Sequence, residues 1–130
     1  MAEGGYNAAL ANVDPADNWE THFKDTIIGG AYINNQKLAE ILVKEATERI
    51  LDLEEYGAIF DRTPEGKIMQ RPFGKQTYRR TCYAADRTGH ELMATLVEEV
   101  RRRDITVLDE IFVTSLLLSL IHISEPTRPY

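Results

Sequence analysis

Apolar residues return every three or four positions along three stretches of this chain, the spacing that lays them on one face of a helix. The longest runs from Gln36 to Tyr56, where Leu38, Ile41, Leu42, Ala46, Ile50 and Leu53 form the predicted core-facing stripe. Asn34 or Asn35 supplies its N-cap, and Gly57 stands where a left-handed residue closes a helix. Lys44, Glu45, Glu48, Arg49, Asp52 and Glu54 make the opposite, solvated face. A shorter helix is predicted from near Trp19, with Trp19, Phe23 and Ile27 on one face, Asp17 or Asn18 as cap and Gly29-Gly30 as the stop. A third begins between Asp86 and Gly89 and aligns Leu92, Leu96, Val97 and Val100. It ends in Arg101-Arg102-Arg103, cations that complement the dipole at a helix C-terminus.

Between the helices the pattern changes. Ala58 to Gln70 reads as a hairpin about Thr63-Pro64-Glu65-Gly66, with Pro and Gly where a type I turn wants them. Ile105-Thr106-Val107 and Ile111-Phe112-Val113 read as strands. Met1 to Pro15 is a loop-rich start in which Gly4-Gly5 lets the backbone turn tightly or approach a ligand. Arg71 to Arg87 is long, polar and irregular. Loops of that length are functional or disordered, and the residues alone weigh the two evenly. No internal repeat or low-complexity tract is visible. The predicted class is α+β: helices with a few short strands.

Charge narrows the function. The 130 residues carry 15 Lys+Arg against 21 Asp+Glu, a formal net charge of −6, which argues against a general nucleic-acid binder. With 43% hydrophobic and 28% charged residues the chain fits one globular domain with a modest core. Cys82 is the single cysteine, which excludes an internal disulfide and any multi-cysteine metal site. No basic segment followed by an apolar run stands at the start. The apolar stretch Ile111 to Ile123 has 13 residues, short of the roughly 20 that a spanning helix needs. These counts predict a cytoplasmic chain without a membrane span.

Candidate chemistry is sparse. His22, His90 and His122 lack the helical spacing of paired metal ligands, so each reads as a surface or packing histidine. Arg79, Arg80 and Arg87 lie near Cys82 and can depress a thiol pKa, yet no nucleophile signature surrounds it. A plain core or surface cysteine is the better reading. The same arginines either clamp a carboxylate at two points or pair with local acids. There is no G-x-G-x-x-G, no phosphate-binding G-x-x-x-x-G-K-[ST] and no hydrolase elbow.

Four strings carry a family resemblance: AEGGYNAAL, DNWETHFKDT, RTPEGKIMQRPFG and AADRTGHELMATL. From Ala2 to about Leu117 the chain resembles the flavoprotein subunit of succinate dehydrogenase and fumarate reductase, and QRPFG together with AADRTGH is the most specific part. The resemblance implies that residues 1–117 are an internal part of a larger Rossmann-like FAD-binding domain. That part begins just after the flavin-linking histidine region and stops before the catalytic half. The resemblance further implies FAD as cofactor, succinate or fumarate as substrate and, as partner, an iron–sulfur subunit. It also implies peripheral placement at the inner face of the cell membrane, with no nucleic-acid partner. The cofactor-binding residues it implies are Ala2, Glu3, Gly4 and Gly5, lying along the isoalloxazine ring with backbone N–H groups near flavin and dicarboxylate. Glu3 stands where many members have Gln. Gly4 and Phe73 are the implied substrate-binding residues, Phe73 being the aromatic that keeps water from the hydride path. No catalytic or metal-binding residue is implied.

In the family, the dinucleotide fingerprint and the flavin-linking histidine belong upstream of Met1. The proton-donating arginine and the residues that clamp the two carboxylates belong downstream. The isolated chain is therefore expected to be inactive and to hold FAD weakly. Leu118 to Arg128, LSLIHISEPTR, is similar to one reading-frame translation of a transposase-type sequencing adapter. The expectation is thus a non-native tail over 118–130 and an internal methionine at Met1. Two alternatives stand beside this reading. An L-aspartate oxidase-type flavoprotein fits QRPFG and the Arg87 of DRTGH less well. A self-standing α/β interaction module without catalysis has no use for a long polar loop beside a Gly-Gly start.

Overall fold

A computed structural model describes residues 2–116. In chain order the elements are β1 (Tyr6–Asn7), α1 (Trp19–Gly29), α2 (Gln36–Glu55), β2 (Gln70–Arg71), β3 (Thr81–Cys82) and α3 (Thr88–Arg102). This is the α+β architecture read from the sequence. β3 is the middle strand of a small antiparallel sheet, with Tyr6 of β1 and Gln70 of β2 both opposite Cys82.

Local chemistry sets the helix ends. The Asn18 side chain accepts from Thr21 N at 2.8 Å and starts α1, and Asn35 accepts from Leu38 N at 3.1 Å and starts α2. Their neighbours do other work: Asn34 Nδ2 donates to the Thr26 carbonyl at 3.2 Å and closes the end of α1. Beyond α2, Gly57 takes φ +107° and Ala58 N donates to Leu53 O at 2.9 Å, the bond that closes a helix in a Schellman turn.

The core lies between α2, the sheet and the 58–68 hairpin. It comprises Ala8, Ala46, Ile50, Leu53, Ala58, Phe60, Ile68 and Cys82, with Tyr6, Leu10 and Leu92 packed at its margin. Burying a side chain the size of Phe60 or Ile50 contributes about 1.5–3 kcal/mol. The hairpin closes through Gly66 N to Thr63 O at 2.9 Å and Met69 N to Asp61 O at 2.7 Å. It pairs as one bridge, Arg62 with Ile68, rather than as two full strands.

Three sequence expectations need correction. The first half of the α2 stripe is displaced: Leu38, Ile41 and Leu42 are exposed, while Ala39, Val43, Ala46, Ile50 and Leu53 are buried. α1 packs on α2, and the small Ala39, Val43 and Ala46 let two helices approach closely. On α3 only Leu92 of the predicted stripe joins the core; Leu96 and Val97 face out, and Thr88, Thr95 and Glu99 are the buried side chains. Their polar atoms have local partners, Thr88 Oγ1 accepting from Ala84 N at 3.1 Å and Thr95 Oγ1 donating to Glu91 O at 2.8 Å. Residues 105–107 and 111–113 form no strands, because no strand among the described residues lies alongside them, and Phe112 is 88% exposed. Among the described residues no helix is long and apolar enough to cross a membrane. The expected tail at 118–130 and His122 lie outside the described residues.

Candidate functional site

Ala2 to Gly5 runs into the edge strand β1, and its carbonyls are held from the body of the protein. Gly89 N, at the start of α3, donates to Ala2 O at 2.8 Å. Arg71 Nη2 donates to Glu3 O at 3.0 Å and to Gly4 O at 2.8 Å. The Arg71 guanidinium itself lies over the Tyr83 ring, 4.3 Å from its centre, which fixes its plane. The N–H groups of Gly4 and Gly5 donate to no backbone carbonyl among the described residues. The carbonyls of Ala2, Glu3 and Gly4 are thus occupied while the Gly4 and Gly5 donors have no acceptor among the described residues, so the strip presents a donor edge.

Glycine is required here for two separate reasons. Gly5 has φ +131°, and a Cβ there would overlap Thr81 Cγ2 and sit 2.5 Å from the Cys82 carbonyl oxygen. A Cβ on Gly4 would lie 3.0 Å from Phe73 Cζ, so the Phe73 ring rests directly on the backbone. Glu3, Gly4, Arg71, Pro72, Phe73 and Asp86 line an open groove of about 490 Å³. The structure therefore brings Glu3, Gly4 and Phe73 together, with Gly5 next in the strip. Ala2, exposed, is tied instead to α3.

Between α1 and β3 is a buried ion cluster. Arg80, 1% exposed, donates from Nε and Nη2 to the two oxygens of Asp17 at 3.0 and 2.9 Å. Its Nη1 donates to Asp25 Oδ2 at 2.7 Å. Arg79 makes a second, exposed pair with Asp14, and its side-chain and backbone N–H groups hold the Asp14 carboxyl down to about 2. Arg79 and Arg80 thus pair with local acids, and the carboxylate-clamp reading falls for these two.

The remaining candidates resolve simply. His22 is buried, its pKa lowered by burial and then by the Arg80 charge, so it packs as a neutral imidazole; His90 is exposed. Cys82 is wholly buried and burial pushes its thiol up to about 12, which makes it a core residue. No group of three metal-ligating side chains occurs among the described residues. Sequence reasoning missed Arg71, Tyr83 and Gly89 as supports of the strip. The string QRPFG contains Arg71, but nothing in a string says that its guanidinium will seek carbonyls 67 and 68 residues away.

The chain matches the FAD binding domain family over residues 1–122. This chain belongs to that family. Within the FAD binding domain family it is 62% identical over 118 residues to a fumarate reductase (CoM/CoB) subunit of Methanothermobacter marburgensis, covering 91% of this chain and 22% of that protein. It is 42% identical over 125 residues to the succinate dehydrogenase flavoprotein subunit of Rickettsia bellii, covering 90% of this chain and 21% of that one. The solved Mycobacterium smegmatis Sdh1 complex in the apo form superposes with TM-score 0.72 at 48% identity, over 78% of this chain and 18% of that chain. The chain spans about a fifth of the length of the curated relatives it matches. Its cofactor class is FAD. An edge of free N–H groups beside an exposed aromatic ring fits one rim of a planar, oxygen-bearing ring system.

Proposed function

We propose that the chain is a segment of a flavoprotein subunit that interconverts succinate and fumarate, with Ala2 to Gly5 and Phe73 forming one wall of the site. The observation that carries this reading is the strip itself. Arg71 and Gly89 occupy the carbonyls of Ala2, Glu3 and Gly4, the Gly4 and Gly5 N–H groups donate to no acceptor among the described residues, and Phe73 rests on Gly4. Bound FAD supplies the hydride acceptor and donor. The chain's own residues bind and exclude: the two glycine N–H groups donate to anionic oxygen, and the Phe73 ring keeps water from the reacting face. The catalytic acid and the dinucleotide-binding loop are contributed by other parts of such a subunit, so the isolated segment is inactive and holds FAD weakly. An iron–sulfur subunit takes or gives the electrons, and the assembly sits peripherally at the inner membrane face. Residues 118–130 are a non-native tail, which resequencing the source DNA across residue 117 tests.

The 62% relative's name favours one direction and one electron source, fumarate reduction with CoM and CoB. Assaying an FAD-loaded subunit that carries residues 2–116 tests both points. Turnover with succinate or fumarate and none with L-aspartate is the expected result, and L-aspartate turnover alone overturns it. Comparing a CoM/CoB thiol pair with a quinol as donor then decides the electron source.

A further inference from the structure

The turn from Pro72 to Arg79 joins two adjacent strands and carries Phe73, yet among the described residues no backbone–backbone hydrogen bond ties it to the rest of the protein. Side chains hold it instead. Gln76 Nε2 donates to Asn7 Oδ1 at 2.8 Å and to Thr81 Oγ1 at 2.9 Å, at the sheet edge. At the far side, Thr77 N donates to Asp25 Oδ2 at 2.9 Å and Thr77 Oγ1 donates to Asp25 Oδ1 at 2.6 Å. Asp25 belongs to the string DNWETHFKDT, to which the proposed function gives no task.

We propose that Asp25 is a positioning residue that, through Thr77, holds the 72–79 turn so that the Phe73 ring stays on Gly4. The role of Phe73 rests on the functional reading above; the anchoring does not. Two features make Asp25 suited to this. It is fixed from below, because Arg80 Nη1 bonds its Oδ2 and Arg80 is itself locked by Asp17 in the interior. It also grips two donors of one residue, backbone and hydroxyl, which sets the orientation as well as the position of the turn. Burial pushes the Asp25 carboxyl up, but the Thr77 hydrogen bonds and the Arg80 guanidinium outweigh it and leave it below the ordinary carboxylate value. The carboxylate form is the one that can accept all three.

The turn contains its own probe, since Lys75 is exposed and trypsin cleaves after it, whereas the Arg71-Pro72 bond resists. Cleavage in the native protein follows local opening. Thr77 is exposed, so Thr77→Val removes one charge-assisted hydrogen bond without disturbing the core. In the full chain, Thr77→Val is expected to speed cleavage after Lys75 about tenfold, while cleavage after the exposed arginines at the end of α3 stays at the parent's rate. Thr77→Ser, which restores the hydroxyl, returns the rate to that of the parent. Equal cleavage at Lys75 in Thr77→Val and parent overturns the anchoring, as does acceleration at every site together. In an FAD-loaded subunit carrying residues 2–116, Thr77→Val should raise the dicarboxylate KM severalfold with FAD content unchanged, and an unaltered KM overturns the link to Phe73. A parent subunit with no turnover of succinate or fumarate instead defeats the functional reading, and the cleavage result stands apart from it.

Discussion

Around α1 and β3 the chain buries Asp17, Gln70, Arg80 and Thr81 and gives each a partner. Along α3 and residues 103–116 it leaves Leu96, Val107, Leu108, Ile111, Phe112 and Val113 exposed. The usual association of apolar with inside is reversed between the two regions. Burial follows the atoms available to cover a side chain, and a charge can be covered when its partners are built around it. The first region holds its buried charges on partners of its own. The second presents a surface suited to contact with further protein, which accords with a chain that spans a fifth of its relatives' length.

The contrast can be broken most sharply at Arg80. Arg80→Met leaves Asp17 and Asp25 without their cation, and should cost about 3–5 kcal/mol in a urea titration. A loss below about 1 kcal/mol would mean that the interior cluster is dispensable. Gly5→Ala comes next, because the left-handed backbone and the Cys82 carbonyl both oppose a Cβ; about 1–3 kcal/mol is expected from the same titration.

Acid sharpens the comparison further. Asp14, held at about 2, and Asp25 both lie below the ordinary 3.8. Their contribution is complete above pH 3.8 and is lost as pH falls towards their folded values, since protons then favour the unfolded chain. His22 adds a separate loss below pH 6.5, because its folded pKa is lowered and the unfolded imidazole takes the proton first. Melting temperatures from pH 7 down to about 2 should show both steps, and Asp14→Asn should shrink the lower one. The smallest effect is expected in the other region: Phe112→Ser should change stability by no more than about 0.5 kcal/mol while reducing binding of a hydrophobic dye.

Much of the architecture was legible because it is local. Asn18 and Asn35 cap helices by bonding a backbone N–H three residues on, and Gly57 closes α2, all within one turn of chain. The burial of α2 and α3 was less legible, since periodicity reports which residues share a face but not which face another element covers. Leu38 and Ala39 differ by one position, and only the approach of α1 decides between them. The two-residue strands left no pattern to detect. For the site, the resemblance named Glu3, Gly4, Gly5 and Phe73, which the fold gathers around one groove and strip. The residues around them, Arg71, Tyr83 and Gly89, act through contacts between distant parts of the chain that spacing along it does not encode.

Phe73 over the Gly4-Gly5 strip is proposed as a wall of the reacting site, and succinate turnover by an FAD-loaded subunit carrying Phe73→Ala tests that role most directly. The kcat/KM should fall about a hundredfold while the flavin absorbance is retained, because the dicarboxylate loses both its alignment and its shield from water. A variant that keeps the parent's kcat/KM would contradict the account and remove Phe73 from the site.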